Sequence, residues 1–272
     1  MDEYHCKKAI KEGHRVEIIE MVVGMKIATY NIWDDEAGMP YRFRQIVEEM
    51  IKTDADIICL QEVRDEKRHR ELVENCGYRY AHYQAQTGLS ILSRMPLCGI
   101  EDFESGTMAR VQMDARMCRI VNVHLPWDSA VARERIMVET VRRLEEIKDE
   151  FIFLLGDFNS AADSSVHRFL TNQQSLSGCD AYFYDLAESY AELTGKSIPA
   201  TLNFRENPRW GVVQPVNTIE TNQRFDWIML RNPYPLDFPE LKQCSLFGIA
   251  VSEKTGLAAS DHYGVSVQIV IG

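Results

Sequence analysis

The sequence predicts an α/β fold built on a mixed β-sheet, and three observations predict it. Short apolar runs of strand length mix with segments of helical periodicity along most of the chain. Polar, ligand-type residues stand at the C-terminal ends of four of these runs and at the N-terminal ends of two others. No Pro- or Gly-rich linker, repeat or low-complexity tract divides the 272 residues, so one domain is expected.

Residues 1–24 read unlike the rest: a polar stretch followed by "VEIIEMVVG". They are an added or misassigned leader, or an extra element packing on a domain that runs 25–272. "KIATYNIW" opens that domain as a strand. Pro40 then starts a helix with Phe43, Ile46, Val47, Met50 and Ile51 on one face. "DIICLQEV" reads as a buried strand. "YRYAHYQ", "GLSILSR", "GTMARVQMD" and "CRIVNVHL" are short and turn-bounded, which suggests antiparallel pairing. Asp128 or Ser129 caps a helix reaching about Lys148, with Met137, Val141 and Leu144 on one side. "FIFLLG" is the next buried strand, and "RFDWIML", "CSLFGIAV" and "HYGVSVQIVI" close the chain. Residues 196–224 lack periodicity; so long a loop in a compact domain is usually functional or disordered.

The formal net charge of -11 argues against broad, non-specific nucleic-acid binding, which draws on Lys and Arg contacts to phosphates. It leaves room for a small phosphorylated substrate. Seven scattered cysteines without a Cys-x-x-Cys pair suggest a reducing compartment, and the cytoplasm is expected. No apolar run approaches the roughly 18 residues of a membrane span, and no protein partner is evident.

The polar tips carry the functional reading. Asn31, Gln61 with Glu62, His124, and Asp157 with Asn159 follow strands; Asp226 begins one, and Asp261 with His262 precedes another. In a mixed sheet, strands of opposite direction deliver these opposite ends to one rim, where α/β folds bind ligands. Three or four carboxylates then converge. Their repulsion calls for a cation, and hard oxygen donors without cysteine suit Mg²⁺, with Mn²⁺ as a substitute. Each residue also has a plain structural reading: Asp157 and Asn159 as an Asx-type turn, His124 as a satisfied core histidine, Asp261 and His262 as solvated turn residues. It is the set in this order that points to chemistry.

"ATYNIW", "DIICLQEV", "GLSILSRMPL", "VNVHLPWDS", "FLLGDFNS", "RFDWIML" and "SDHYGV" together resemble the endonuclease/exonuclease/phosphatase superfamily, in the family's order from Met25 onward. The resemblance implies a four-layer α-β-β-α sandwich, two packed mixed sheets flanked by helices. It implies Glu62 as the principal metal ligand, with Asn31 and Asp261 on the metal side. Asp157 and Asn159 match the pair that positions the attacking water, and period-two alternation is expected to send both to one face. His262 with Asp226 matches the His–Asp couple, and His124 the second histidine. Two departures weaken a direct DNase or abasic-site reading: Trp33 stands where abasic endonucleases carry an aspartate, and no glutamate near "GLSILS" supports His124. "TLNFRENP" loosely resembles a segment of sphingomyelinase- and deadenylase-like branches, with Leu202 where an aromatic is usual.

The expected activity is Mg²⁺-dependent hydrolysis of a phosphate ester, most readily a phosphodiester, by attack of water. The substrate is a small molecule, a lipid head group or a nucleic-acid end. The alternatives are a nuclease acting on nucleic-acid ends, or a catalytically silent member that binds a phospho-ligand or partner. Trp33, Trp127 and Arg209 are the expected substrate-binding residues, aromatic and cationic groups suited to stacking and to holding phosphate.

Overall fold

Two six-stranded mixed sheets carry the chain. The computed structural model describes residues 7–12, 15–20, 24–35, 37–113, 116–147, 150–213 and 219–272. The elements in chain order are β1 (Lys7–Glu12), β2 (Arg15–Glu20), β3 (Met25–Asn31), α1 (Tyr41–Thr53), β4 (Ile57–Gln61), α2 (Glu66–Cys76), β5 (Tyr80–Gln84), β6 (Leu89–Ser93) and β7 (Leu97–Phe103). They continue as β8 (Gly106–Met113), β9 (Arg116–His124), α3 (Ala130–Leu144), β10 (Phe151–Asp157), α4 (Ser165–Leu170), β11 (Phe183–Asp185), α5 (Leu186–Thr194), α6 (Pro208–Val213), β12 (Asp226–Arg231), β13 (Glu240–Phe247) and β14 (Gly264–Val270). β1 and β2 pair antiparallel as a separate two-stranded sheet.

The first large sheet runs β13-β14-β3-β4-β6-β5, and the second β11-β12-β10-β9-β8-β7. In the first, β3 is parallel to β4 and antiparallel to β14. In the second, β10 is parallel to β9 and antiparallel to β12. The two sheets thus share one plan: two parallel central strands beside an antiparallel one.

Three apolar clusters give the four layers. Ile27, Cys59 and Ile91 of the first sheet meet Ile120, Phe153, Leu155 and Ile228 of the second in a core between the sheets. On the first sheet's outer face, Tyr30, Ile58 and Leu60 pack with Ile46 and Met50 of α1 and Leu72 of α2. On the second sheet's outer face, Val121, Ile152 and Trp227 pack with Met137 and Val141 of α3 and Phe169 of α4. Strands buried on both faces explain the unbroken apolar text of "FIFLL". Burying each large side chain contributes about 1.5–3 kcal/mol before entropy is counted.

The expected elements form, with local differences. The helix after Pro40 buries Ile46, Val47 and Met50, but Ile51 is exposed. Ile51 sits off the stripe formed by Arg42, Ile46, Glu49, Met50 and Thr53, and so it faces solvent. Ser129, not Asp128, caps α3, its Oγ accepting the Ala132 N–H at 3.2 Å. That helix closes at Leu144, earlier than expected, and Lys148 lies outside the described residues. "CSLFGIAV" stops being a strand at Phe247 because Gly248 turns left-handed, with φ 72°. Within 196–224 the chain forms α6 and paired bridges at Leu202. Among the described residues, no helix is long and apolar enough to cross a membrane.

Candidate active site

The strand directions bring the polar tips to one rim. The register sets Asn31 beside Gln61 across β3 and β4, and Asp157 beside both His124 and Asp226 across β9, β10 and β12. Asp261 and His262 arrive just before β14, which runs antiparallel to β3. A cleft of about 810 Å³ opens there, and Glu62, His124, Asp157, Asn159, Asp261 and His262 all line it.

Asp226 and His262 form a buried pair, Nδ1 lying 2.9 Å from Asp226 Oδ2. His262 Nε2 then faces Asp157 Oδ2 at 3.8 Å. Burial alone would discharge this imidazole, but the carboxylates of Asp226, Asp157 and Asp261 outweigh it and push its pKa well above the ordinary value. Asp226 is itself shifted up, by burial first and by Asp157, against the opposing pull of His262. His124 Nε2 approaches the same region, 3.6 Å from Asp157 Oδ2 and 3.8 Å from Glu62 Oε1.

Asn31 stitches the carboxylates together. Its Nδ2 donates to Glu62 Oε1 and to Asp157 Oδ2, each at 3.0 Å, while its Oδ1 accepts the Trp33 N–H at 3.0 Å. In this arrangement the amide bridges Glu62 and Asp157, and its oxygen is engaged by the Trp33 N–H. Gln61, the neighbouring tip, points between the sheets instead and donates to Asn122 Oδ1 at 2.7 Å. Glu62 adopts a left-handed backbone, φ 58°, which throws its side chain out of the β4 line and into the cleft.

The Asp-x-Asn pair converges differently from the expected pleat. Asp157 is the last residue of β10, and Asn159 lies beyond it with φ 44°. The Asn159 N–H bonds Asp157 Oδ1 at 2.8 Å, an Asx turn, and its side-chain amide donates to Leu125 O at 2.8 Å. The turn and the cleft position coexist, so the structural and functional readings of this pair are compatible.

The three expected substrate residues separate. Trp127 is 81% exposed and lines the cleft. Trp33 is half-buried, with the guanidinium groups of Arg42 and Arg209 5.1 and 5.3 Å from its ring centre. Arg209 is only 3% exposed and does not line the cleft; its Nε donates to Ala258 O at 2.7 Å. Burial, then Arg42, pushes its pKa down to about 10. Arg209 is thus committed to the protein interior, held there by its bond to Ala258 O. Phe204, Trp210 and Phe225 line the cleft with Trp127.

Several site residues carried little sequence signal. Ser260 Oγ donates to Asn31 O at 2.8 Å, tying the "SDH" stretch to the end of β3. Asn207 Nδ2 donates to Ser260 O and Asp261 O at 2.9 and 3.1 Å, so "ENP" holds the other side of that loop. Arg42, fully buried, binds the carbonyls of Ile32, Trp33, Asp35 and Ala37 and fixes the loop that follows Asn31. The Ser in "SDHYGV" and the Asn-Pro pair were the available hints.

Among the described residues, two groups of carboxylate and imidazole are compact enough to suggest a metal. Asp157, Asp226 and His262 are one. Its histidine Nδ1 is already engaged with Asp226 Oδ2, so that nitrogen is not open to a cation. His167, Asp185 and Glu188 are the other, and there Arg224 already supplies the cation, 2.6 Å from Asp185 and 2.9 Å from Glu188. Glu62 and Asp261 remain as oxygen donors facing the cleft, whose described lining contains no cysteine. That donor set fits a hard divalent ion.

A two-sheet sandwich with carboxylates, a His–Asp couple and a second histidine converging on one rim is the layout of a phosphate-ester hydrolase. The chain belongs to the endonuclease/exonuclease/phosphatase family, whose match covers residues 28–262. Among solved structures it resembles TDP2 from D. rerio complexed with single strand DNA product, at 17% identity and a TM-score of 0.73, covering 91% of this chain and 99% of that one. It also resembles sphingomyelinase C from Streptomyces griseocarneus, at 17% identity and a TM-score of 0.60, covering 90% and 99%. A conserved protein from Enterococcus faecalis V583, described as functionally unknown, aligns at 18% identity with a TM-score of 0.66, covering 91% and 100%. No curated protein matches the chain significantly by sequence.

Proposed function

We propose that the protein is a Mg²⁺-dependent phosphodiesterase acting on a small or lipid-derived ester with a single phosphate at the reaction centre. The observation that carries this reading is the convergence of Glu62, Asn31, Asp157, His124 and the Asp226–His262 couple on one cleft. Glu62 and Asp261 would hold the ion, which supplies polarisation of a phosphoryl oxygen and neutralises developing charge. Mn²⁺ would substitute. Asn31 keeps Glu62 in place. Asp157, bonded by Asn31 and facing both histidines, orients the attacking water. His262, oriented by Asp226, acts as general base or as a phosphate-binding imidazolium. His124, in the more open part of the cleft, stabilises a non-bridging oxygen or protonates the leaving group.

The lining bears on the substrate. Arg133 is the single Lys or Arg among the described cleft residues, and its Nη1 donates to the carbonyls of Pro126 and Trp127. A polynucleotide or polyphosphate would find few counter-charges beyond one phosphate. Trp127, Phe204, Trp210 and Phe225 instead offer surface to an apolar or planar arm. A cytoplasmic placement rests on the cysteine pattern alone.

The test is a substrate panel with and without Mg²⁺: bis(p-nitrophenyl) phosphate, p-nitrophenyl phosphate, sphingomyelin, an inositol polyphosphate and an oligonucleotide. The expected result is Mg²⁺-dependent hydrolysis of the single-phosphate diesters, with the inositol polyphosphate and the oligonucleotide much slower. Inactivity toward all five would overturn the reading, and a preference for the oligonucleotide would favour a nuclease.

A further inference from the structure

Thr201 bonds Asp226 and Tyr263, the neighbour of His262, although Asp226 belongs to one sheet and His262 leads into the other. Its carbonyl accepts the Tyr263 N–H at 2.8 Å, next to His262. Its Oγ1 accepts the N–H groups of Phe225 at 3.0 Å and Asp226 at 3.2 Å. Leu202, the next residue, bridges both Gln223 and His262. Thr201 is fully buried.

A threonine hydroxyl has two lone pairs and one proton. Both lone pairs are occupied by the two backbone donors. The proton needs an acceptor, since a buried donor without one costs roughly 1–3 kcal/mol. Asp226 Oδ2 is engaged with His262, and Asp226 Oδ1 is buried with no hydrogen bond at full geometry among the described residues. Two buried groups of opposite need therefore sit on the same residue pair.

We propose that the Thr201 hydroxyl donates to Asp226 Oδ1, making Thr201 the positioning residue that fixes the carboxylate plane and, through it, the orientation of the His262 ring. The hydroxyl also favours ionised Asp226 against the larger effect of burial. A single short segment then aligns two catalytic partners delivered by separate sheets. The kinetic consequence rests on the phosphodiesterase reading; the orientation of His262 does not.

The experiment compares Thr201→Val, Thr201→Ala and Thr201→Ser. In the metal-free protein, the far-downfield proton on His262 Nδ1 is followed by NMR, identified by its loss in His262→Ala. In parallel, kcat and KM are measured for bis(p-nitrophenyl) phosphate with Mg²⁺. Thr201→Val and Thr201→Ala are expected to shift or broaden that proton signal. They should lower kcat by about 10- to 100-fold, a fraction of what loss of the imidazole itself costs, with KM within about 2-fold. Thr201→Ser, which keeps the hydroxyl, should restore the signal and most of kcat. An unchanged signal and kcat in Thr201→Val would overturn the proposal. So would a Thr201→Ser protein as impaired as Thr201→Val, or failure of both Val and Ala variants to fold, which would make Thr201 a folding residue. A signal that behaves as expected in a protein inactive on every ester would leave the positioning role standing and remove only the activity.

Discussion

Asp226 begins a strand of one sheet, His262 precedes a strand of the other, and their side chains meet 2.9 Å apart at the rim between them. The couple therefore depends on how the sheets stack, not on any local turn. Asp157, one strand away from Asp226, completes the arrangement on the Nε2 side of the ring.

His262→Ala should lower turnover of a phosphodiester by roughly 10²–10⁴, the usual scale for losing a positioned acid, base or charge. Asp226→Asn should cost less, or as much if the tautomer of His262 is what matters. Steady-state kcat on a common substrate decides it, and a His262→Ala protein within a few-fold of wild type would show the couple to be structural.

Gly156 is the point where β10 comes against β9. Its φ is 142°, and an added Cβ would fall 1.9 Å from Val123 O, a backbone atom that cannot step aside. Gly156→Ala should destabilise the fold by about 3 kcal/mol or more, or prevent folding, as strained and overpacked sites do. It should also displace Asp157. Denaturant unfolding measures the first effect; a loss below about 0.5 kcal/mol, the range of neutral surface changes, would contradict it.

Acid should weaken the protein through His69. This histidine packs on Tyr83 and meets Ser90 Oγ at 2.8 Å through Nδ1. Burial, then His82, pulls its pKa down to about 4 from 6.5. The unfolded chain thus binds the proton more readily. The stability this site contributes is fully present above about pH 6.5 and is lost as pH falls toward 4. Urea unfolding of wild type and His69→Gln between pH 7 and 4 should show a shallower decline in the variant; parallel declines would exclude His69 as the source.

Trp127 and Arg209 should now part company. Trp127→Ala is expected to change relative kcat/KM among esters with different apolar arms while leaving thermal stability unchanged, because the side chain stands in the open cleft. Arg209→Ala is expected to do the reverse: it removes a buried bond to Ala258 O and one of the two cations stacked on Trp33. Its melting temperature should drop by several degrees, as a loss of a few kcal/mol implies. Equal effects of the two variants on specificity would restore Arg209 to the substrate.

The sequence was most legible where burial and polarity change abruptly. Strands buried on both faces read as continuous apolar text, so the polar residue ending each one stood out, and Asn31, Glu62, His124, Asp157, Asp226 and His262 all lie at the rim. Direction could also be inferred, because only opposed strands bring both kinds of tip together. Elements without that contrast were missed. β7 is mostly exposed, and α2 buries only His69 and Leu72, so neither had a clear period. Arg209 lies buried rather than along the cleft, and sequence does not tell a cation in an aromatic loop from one folded inward. Thr201, far along the chain from its partners, carried no local signal beyond the loose "TLNFRENP" likeness.

The central claim is that Glu62 anchors a divalent ion at this rim and that hydrolysis depends on it. A Mg²⁺ titration of bis(p-nitrophenyl) phosphate hydrolysis, run side by side on wild type and Glu62→Gln, tests it most directly. Wild type should be inactive in chelator and saturate with added Mg²⁺. Glu62→Gln should fold with an unchanged melting temperature, since the side chain is 37% exposed, and lose most activity at any Mg²⁺ concentration, because a neutral amide holds a hard cation poorly. An unaltered titration curve in Glu62→Gln, or full wild-type activity in chelator, would contradict the account.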